Sequence, residues 1–195
     1  QYGVNIGAHP GWNDRANFGR LEMNVSAEEA AAVVFQQIQA LAQIAKDEGA
    51  ALTHVKPHGA LYNQAVKDRV LANAIARAVK RISVGLILVG LAGSGLCEAG
   101  VEAGIKVAGE GFPDRVYNPD GTLMSRDKAG AVIESPQEVA ANALWIIQDG
   151  ISFGEKIVRV ETLCLHGDHP RAAENAKLLR EILMKNGIEV VGLKK

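Results

Sequence analysis

Residues 52–59 (LTHVKPHG) form a short apolar run that ends in a histidine beside a glycine. The same pattern occurs at 4–11 (VNIGAHPG) and at 161–168 (ETLCLHGD). Within these runs, residues 4–6, 52–55 and 161–165 are typical of short buried β-strands. In a parallel α/β fold the carboxyl ends of the strands lie at one edge of the sheet, and binding sites form there. The pattern therefore predicts one polar site that contains His9, His58 and His166.

Helical patterns alternate with these runs. Capping boxes at Ser26 and Ser135, each with a glutamate three residues later, predict the starts of two helices. Apolar runs at 85–91 and 105–108 predict two more strands, and 188–191 predicts a last one. At least five strand–helix units in succession indicate a parallel sheet, either open or closed into a barrel. Polar residues at nearly every strand end favour the barrel.

The bulk composition is typical of one globular domain. Lys and Arg number 21 against 22 Asp and Glu, which gives a net charge of −1. This balance lacks the excess of positive charge that is typical of nucleic-acid-binding proteins. No apolar run approaches the length of a membrane span. Cys97 and Cys164 are isolated in apolar contexts, which favours reduced thiols and predicts a cytoplasmic protein.

Two of the histidines have polar neighbours that suggest chemistry. Lys56 precedes His58 by two residues and could pair with an anionic substrate, while Tyr62 could add a hydroxyl. Asp168 follows His166 by two residues. It could orient an imidazole or coordinate a cation, or it could cap the helix that follows.

Polar groups also follow two other predicted strands. Glu110 could act as a general base and Arg115 could clamp a carboxylate or phosphate, although a surface salt-bridge cluster is the alternative. Gly93 and Ser94 lie between a strand and a helix, as in phosphate-binding loops. No Gly-Lys-Ser/Thr follows them, so a tight turn is the default interpretation.

Seven segments together resemble one known family, the LamB/YcsF family. They occur in the family's order over almost the whole chain, and the Lys-Pro-His-Gly-Ala-Leu-Tyr run is highly specific. The segments are 7–11 (GAHPG), 18–20 (FGR), 54–62 (HVKPHGALY), 90–94 (GLAGS), 114–115 (DR), 130–133 (GAVI) and 164–168 (CLHGD).

The resemblance implies a fold. We expect a single domain over 1–195, with an incomplete, distorted parallel β/α barrel similar to the glycoside hydrolases and polysaccharide deacetylases. The family carries about fifty further residues at its N-terminus, and without their strands the sheet would expose an edge. We therefore expect the first strands of the barrel to be missing here.

The resemblance also implies a reaction, the ATP-dependent hydrolysis of 5-oxoproline to glutamate in a complex with two further subunits, B and C. ATP would enter with Mg²⁺. Under this hypothesis Lys56 and Arg115 hold the substrate carboxylate or the transferred phosphoryl group. His58 and His166 move protons, and Asp168 orients His166. His9 polarises the carbonyl or binds a divalent ion.

Two alternatives stay open at this point. In the first, His9, His58 and His166 ligate a divalent metal whose bound water attacks an amide without ATP, as in a metal-dependent amidase or deacetylase. In the second, the chain is a non-catalytic scaffold within a hydrolase complex. Self-association into a homo-oligomer is compatible with all three hypotheses.

Overall fold

The computed structural model describes residues 3–153, 155–168 and 170–194. The chain divides into two compact units. The first is built from the described residues up to 108 together with 192–194, and the second from those between 109 and 191.

The first unit contains a parallel sheet with its strands in chain order. The strands are β1 (Ile6–Ala8), β2 (Leu52–Val55), β3 (Ile87–Leu91) and the first half of β4 (Lys106–Gly111). In the centre of the sheet His54 of β2 lies opposite Gly7 of β1 and Ile87 of β3. Every residue of β3 is buried, as its continuous apolar run predicts for a strand covered on both faces.

Four helices pack in this unit: α1 (Ala27–Asp47), α2 (Gly59–Lys67), α3 (Arg69–Ile82) and α4 (Gly95–Glu102). The predicted capping box at the start of α1 is confirmed, with Ser26 Oγ accepting from Glu29 N and Glu29 Oε2 accepting from Ser26 N. Val34 and Ile38 lie on the buried face of α1, in the core that α1 shares with α3 and the sheet.

The second unit continues from the last residues of β4, which pair in parallel with β7 (Thr162–Leu163). Its other elements are α5 (Pro136–Asp149), β5 (Ile151–Phe153), β6 (Lys156–Val158) and α6 (Ala172–Lys185). Ser135 caps α5 with Pro136 in the first turn, as predicted. β5 and β6 form an antiparallel hairpin. Ala143, Leu179 and Leu183 form a core between α5 and α6.

One sequence prediction about the elements is wrong. Residues 188–191 form no strand, because Ile188 packs against the α5–α6 core instead of a sheet. The helix α2, which begins immediately at Gly59, is not among the predicted elements. Each helix in the described part of the chain is too short or too polar to cross a bilayer.

Candidate functional site

Backbone hydrogen bonds continue the β1–β2 pairing beyond the ends of both strands. Lys56 N donates to Ala8 O at 2.9 Å, and His58 N donates to Pro10 O at 2.8 Å. Because the segments that follow β1 and β2 stay in register, the side chains of His9 and His58 lie next to each other. The sequence prediction that His9 and His58 meet at strand ends is therefore correct for this pair.

The two imidazole rings contact each other edge to face. Their centroids are 4.8 Å apart, and His9 Nε2 lies 3.1 Å from His58 Nδ1. His9 Nδ1 donates to the backbone oxygen of Lys56 at 2.6 Å, and His58 Nε2 donates to that of Phe18 at 2.8 Å. Burial lowers the pKa of His9 to about 4, although the Lys56 carbonyl acts in the opposite direction.

Glycines surround the His58 ring where larger residues would collide with it. A Cβ at Gly11 or Gly19 would come within 3.3 Å of the ring, and one at Gly59 would lie 2.5 Å from Gly19 O. Phe18 adopts a left-handed backbone with φ of 56°, and its ring packs edge-on against His58. The backbone at Gly11, Phe18 and Gly19 thus packs closely against the His58 ring.

Lys56 and Tyr62 also lie beside this pair of histidines. The Lys56 ammonium is 5.9 Å from the centroid of the buried Tyr62 ring, within reach of a cation–π contact. Lys56 also contributes to the low pKa of His9 through its charge. Lys56 therefore lies between Tyr62 and the histidines, while the contact of Lys56 and Tyr62 with substrate stays a prediction.

His54 lies two residues before Lys56 and is shielded by β1. An atom added to Gly7 as Cβ would be only 2.1 Å from His54 Nε2, so the ring occupies the space that glycine leaves. Burial, followed by the charge of Lys56, lowers the pKa of His54. His54 is therefore packed as a structural residue of the sheet.

In the second unit, His166 is held by a carboxylate. Asp114 Oδ2 accepts from His166 Nδ1 at 2.7 Å and from the backbone His166 N at 3.3 Å. The Asp114 side chain is only 2% exposed and the His166 side chain 24%. The Phe112 ring stacks on the imidazole at a centroid distance of 5.7 Å. The ring is therefore fixed by both a hydrogen bond and a stacking contact.

This geometry determines which nitrogen of His166 is available. Burial acts to raise the pKa of Asp114, but the hydrogen bonds and charge of His166 and the charge of Arg115 outweigh it, so the pKa lies below its usual value. A carboxylate only accepts, so Nδ1 carries the proton. In the neutral imidazole Nε2 then has a lone pair, and it makes no hydrogen bond within the described residues. An imidazole in this state is a general base.

Asp168 does not have the orienting role predicted from its sequence position. The carboxylate on His166 is that of Asp114, whereas Asp168 lies 3.8 Å from the Arg126 guanidinium on the surface. The alternative role of Asp168 as a helix cap is also wrong, because the N-cap of α6 is Arg171. Sequence reasoning missed Asp114 as a partner, although Asp114 lies in one of the segments that resemble the family.

Arg115 is buried among backbone carbonyls. Its Nε donates to Ala131 O at 3.3 Å, and its NH2 group donates to Met124 O. These bonds tie together the two sides of the long irregular stretch after β4. The prediction that Arg115 belongs to a surface salt-bridge cluster is therefore wrong, because this side chain is buried and holds the backbone of the loop together. Its predicted contact with a substrate anion stays a prediction.

Two further polar residues, one half-buried and one buried, belong to the same region. Tyr117 Oη accepts from Phe112 N at 2.7 Å, and burial raises the pKa of this phenol. Glu110 of β4 is 4% exposed and adds its charge to that effect on Tyr117. The charges of Glu110 and Asp114 thus both act on Tyr117, while the predicted role of Glu110 as a base stays a prediction.

Gly93 and Ser94 form a turn that caps a helix. Ser94 is the N-cap of α4, and its Oγ accepts from Cys97 N at 3.4 Å. Gly93 adopts a φ of 79°, as the tight turn requires. The default interpretation of this segment agrees with the structure, since the hydroxyl that would contact phosphate is buried in the cap.

The structure joins the sequence-predicted residues into two groups, one in each unit. His9, His58, Lys56 and Tyr62 form the first, and His166 and Glu110 lie in the second with Asp114. The meeting of His166 with the other two histidines stays a prediction. Among the described residues, no three His, Cys, Asp or Glu side chains are arranged to hold a metal ion.

Comparison with known proteins decides the family. A model of the LamB/YcsF family matches residues 1–195. The chain belongs to the LamB/YcsF family. Its relatives include the 5-oxoprolinase A subunit of Pyrococcus abyssi (strain GE5 / Orsay), which is 47% identical over 98% of this chain and 76% of the relative. The protein of that name in Methylococcus capsulatus (strain ATCC 33009 / NCIMB 11132 / Bath) is 49% identical over 98% of this chain and 75% of the relative.

A solved structure of similar sequence supports the fold. This chain resembles the crystal structure of the lactam utilization protein from Thermus thermophilus, with a TM-score of 0.87 and 45% identity. The match covers 98% of this LamB/YcsF chain and 78% of the Thermus chain. It confirms the predicted fold class, an α/β fold of the incomplete parallel barrel type.

Proposed function

We propose that this LamB/YcsF chain is the A subunit of an ATP-dependent 5-oxoprolinase and opens the lactam ring of 5-oxoproline to give glutamate. The observation that carries the proposal is its 44–49% identity, over at least 96% of the chain, to relatives that are named as the A subunit of 5-oxoprolinase. The name of the Thermus neighbour, a lactam utilization protein, points to the same substrate class.

The chemistry of the lactam explains why a general base alone does not suffice to hydrolyse it. The five-membered lactam is a resonance-stabilised amide, so its carbonyl carbon is a poor electrophile. Phosphoryl transfer from ATP to the lactam oxygen would make that carbon reactive. Gly93 and Ser94 do not fit a phosphate, because the Ser94 hydroxyl caps α4. We therefore assign no step with ATP to this chain.

His166 fits the attack of water on the activated carbon. Its Nε2 takes a proton from the water as the oxygen bonds to the carbon. The imidazolium that forms is stabilised by Asp114, which is buried and holds Nδ1 at 2.7 Å. The bond from the carbon to the ring nitrogen then breaks, and the nitrogen takes a proton. A second water releases the phosphate.

Reconstitution tests the proposal. The chain is mixed with the two partner subunits, and glutamate release from 5-oxoproline is measured with and without ATP. We expect ATP-dependent release that falls by at least about a hundredfold in His166→Ala, given the usual contribution of a general base. Glu174→Gln, in an exposed ion pair on α6, is the matched control and should retain full activity.

Three outcomes would contradict the proposal. Release of glutamate without ATP, stimulated by zinc or manganese, would favour the metal-dependent amidase. Full activity of His9→Ala, His58→Ala and His166→Ala in the assembled complex would favour the scaffold. No release by the complex would exclude 5-oxoproline as the substrate.

A further inference from the structure

The hydrogen bonds of the His9–His58 pair fix the proton on each outer nitrogen. Backbone carbonyls can only accept, so the bond to Lys56 O requires a proton on His9 Nδ1 and the bond to Phe18 O requires one on His58 Nε2. A neutral imidazole carries one N–H only. If both rings were neutral, each would have its single N–H in the outer hydrogen bond to a carbonyl.

The inner contact then lacks a proton. His9 Nε2 and His58 Nδ1 are 3.1 Å apart, a hydrogen-bond distance at which two lone pairs would repel. We infer that the two rings hold three protons on their four nitrogens at neutral pH, so that the pair carries one positive charge and supplies the proton taken up by the departing lactam nitrogen. The acid role rests on the proposed function, whereas the proton count does not.

The third proton belongs to His58. Burial keeps His9 neutral by lowering its pKa to about 4, so His58 Nδ1 donates and His9 Nε2 accepts. Lys56 and His54 face His9 and oppose further charge there. The N-terminus of α2, which His58 precedes, opposes a cation on His58, as does Arg20 over the Phe18 ring. A protonated His58 makes a charge-assisted hydrogen bond to His9, which is stronger than a neutral one. Without this proton the pair would keep only its two outer hydrogen bonds to carbonyls.

The surrounding backbone holds His58 in this arrangement. Gly11 and Gly19 lie against the ring, and Gly59 lets the chain pass Gly19 closely. Phe18 keeps a left-handed backbone, which is unfavourable for a phenylalanine, while its carbonyl accepts from His58. Strained backbone of this kind persists where the surrounding structure requires it, and it is concentrated at functional sites.

The proton balance of ring opening agrees with this state. As the bond from carbon to nitrogen breaks, its electron pair goes to the nitrogen, which takes the third proton. The pair is left with two protons and no charge, and a proton from water restores it. In this scheme His58 is the acid, and His9 is a positioning residue that accepts from it.

Nuclear magnetic resonance of the histidine side chains tests the proton count on the chain alone. With ¹⁵N-labelled histidine at pH 7, we expect both nitrogens of His58 to be protonated, and only Nδ1 of His9. Two neutral rings would overturn the inference. A stoichiometric metal ion bound to the two inner nitrogens would also overturn it, because the metal would take the place of the proton.

Two substitutions of His9 test the role in catalysis. His9→Gln places an acceptor near the position of Nε2, whereas His9→Asn keeps only the group near Nδ1 that contacts Lys56 O. We expect kcat of the complex to stay within about threefold in His9→Gln and to fall at least about tenfold in His9→Asn, with KM nearly unchanged. His58 should also lose its second proton in the His9→Asn spectrum only.

The outcomes separate the two proposals. Equal losses in the two folded variants, checked by circular dichroism, would overturn the positioning role of His9, as would no loss in either. A doubly protonated His58 in a complex that does not hydrolyse 5-oxoproline would support the proton count, while overturning the proposed function and the acid role together.

Discussion

His166 and His58 differ in the groups that lie behind their rings. His166 has a buried carboxylate on Nδ1, which leaves Nε2 with a lone pair. His58 has a carbonyl on one side and the nitrogen of a second histidine on the other. The carboxylate stabilises the imidazolium that forms when Nε2 of His166 takes up a proton, whereas the carbonyls and the second ring require a third proton on the His9–His58 pair. Under the two proposals His166 is therefore the base and His58 the acid.

The largest expected effect comes from removing the charge behind His166. Asp114→Asn should lower kcat by about two to four orders of magnitude, because the amide no longer fixes Nδ1–H or stabilises the imidazolium. The measurement is ATP-dependent glutamate release by the reconstituted complex. If kcat changes by less than about threefold while the variant is folded, the dyad is not the base.

A substitution at Gly59 tests the close backbone packing beside the His9–His58 pair. Gly59→Ala should reduce the free energy of unfolding by about 3 kcal/mol, because a left-handed alanine is strained and its Cβ would be 2.5 Å from Gly19 O. Gly49→Ala is the matched control, with a similar positive φ and nothing within 4 Å of the Cβ, and should cost about 1 kcal/mol. Equal losses in urea unfolding would show that the close approach to Gly19 costs nothing.

A smaller effect should appear in the pH dependence of stability. Burial lowers the pKa of His9 from its ordinary 6.5 to about 4. Between these values the unfolded chain takes up a proton that folded His9 does not, so stability falls as the pH falls from 6.5 to 4. His9→Gln should flatten this part of the curve. Identical slopes for the variant and the wild type would show that His9 is not the group responsible.

The smallest effect is expected at Asp168. Its carboxylate is half exposed and lies 3.8 Å from Arg126, and surface pairs of this kind contribute about 0–1 kcal/mol. Asp168→Asn should leave both stability and kcat close to wild type. A fall in kcat comparable to that of Asp114→Asn would restore the role that the sequence predicted for Asp168.

The fold was largely predictable because its signals are local. β2 has the predicted bounds, and Ser26 and Ser135 both cap helices as expected. The helix α2 was missed because Pro57 and Gly59 resemble the end of a strand, whereas the dense apolar residues after Gly59 are buried as a helix. A short apolar run such as 188–191 does not reveal whether it packs on a sheet or on helices.

The site was harder to predict because its partners are distant in sequence. Asp114 lies 52 residues from His166 and no local pattern links the two, so sequence spacing favours the nearer Asp168. The meeting of His9 and His58 was predictable because both follow neighbouring parallel strands. Their proton state was not, since it depends on carbonyl positions that only the folded loop fixes.

The close fit of His54 over Gly7 couples the evolution of two positions. With 2.1 Å between a Cβ at position 7 and the ring at position 54, position 7 cannot gain a side chain while the His54 ring keeps its place. Family members that carry alanine or a larger residue at position 7 should therefore carry a side chain smaller than histidine at position 54. Members that keep both a large side chain at 7 and histidine at 54 would show that β1 and β2 can separate there.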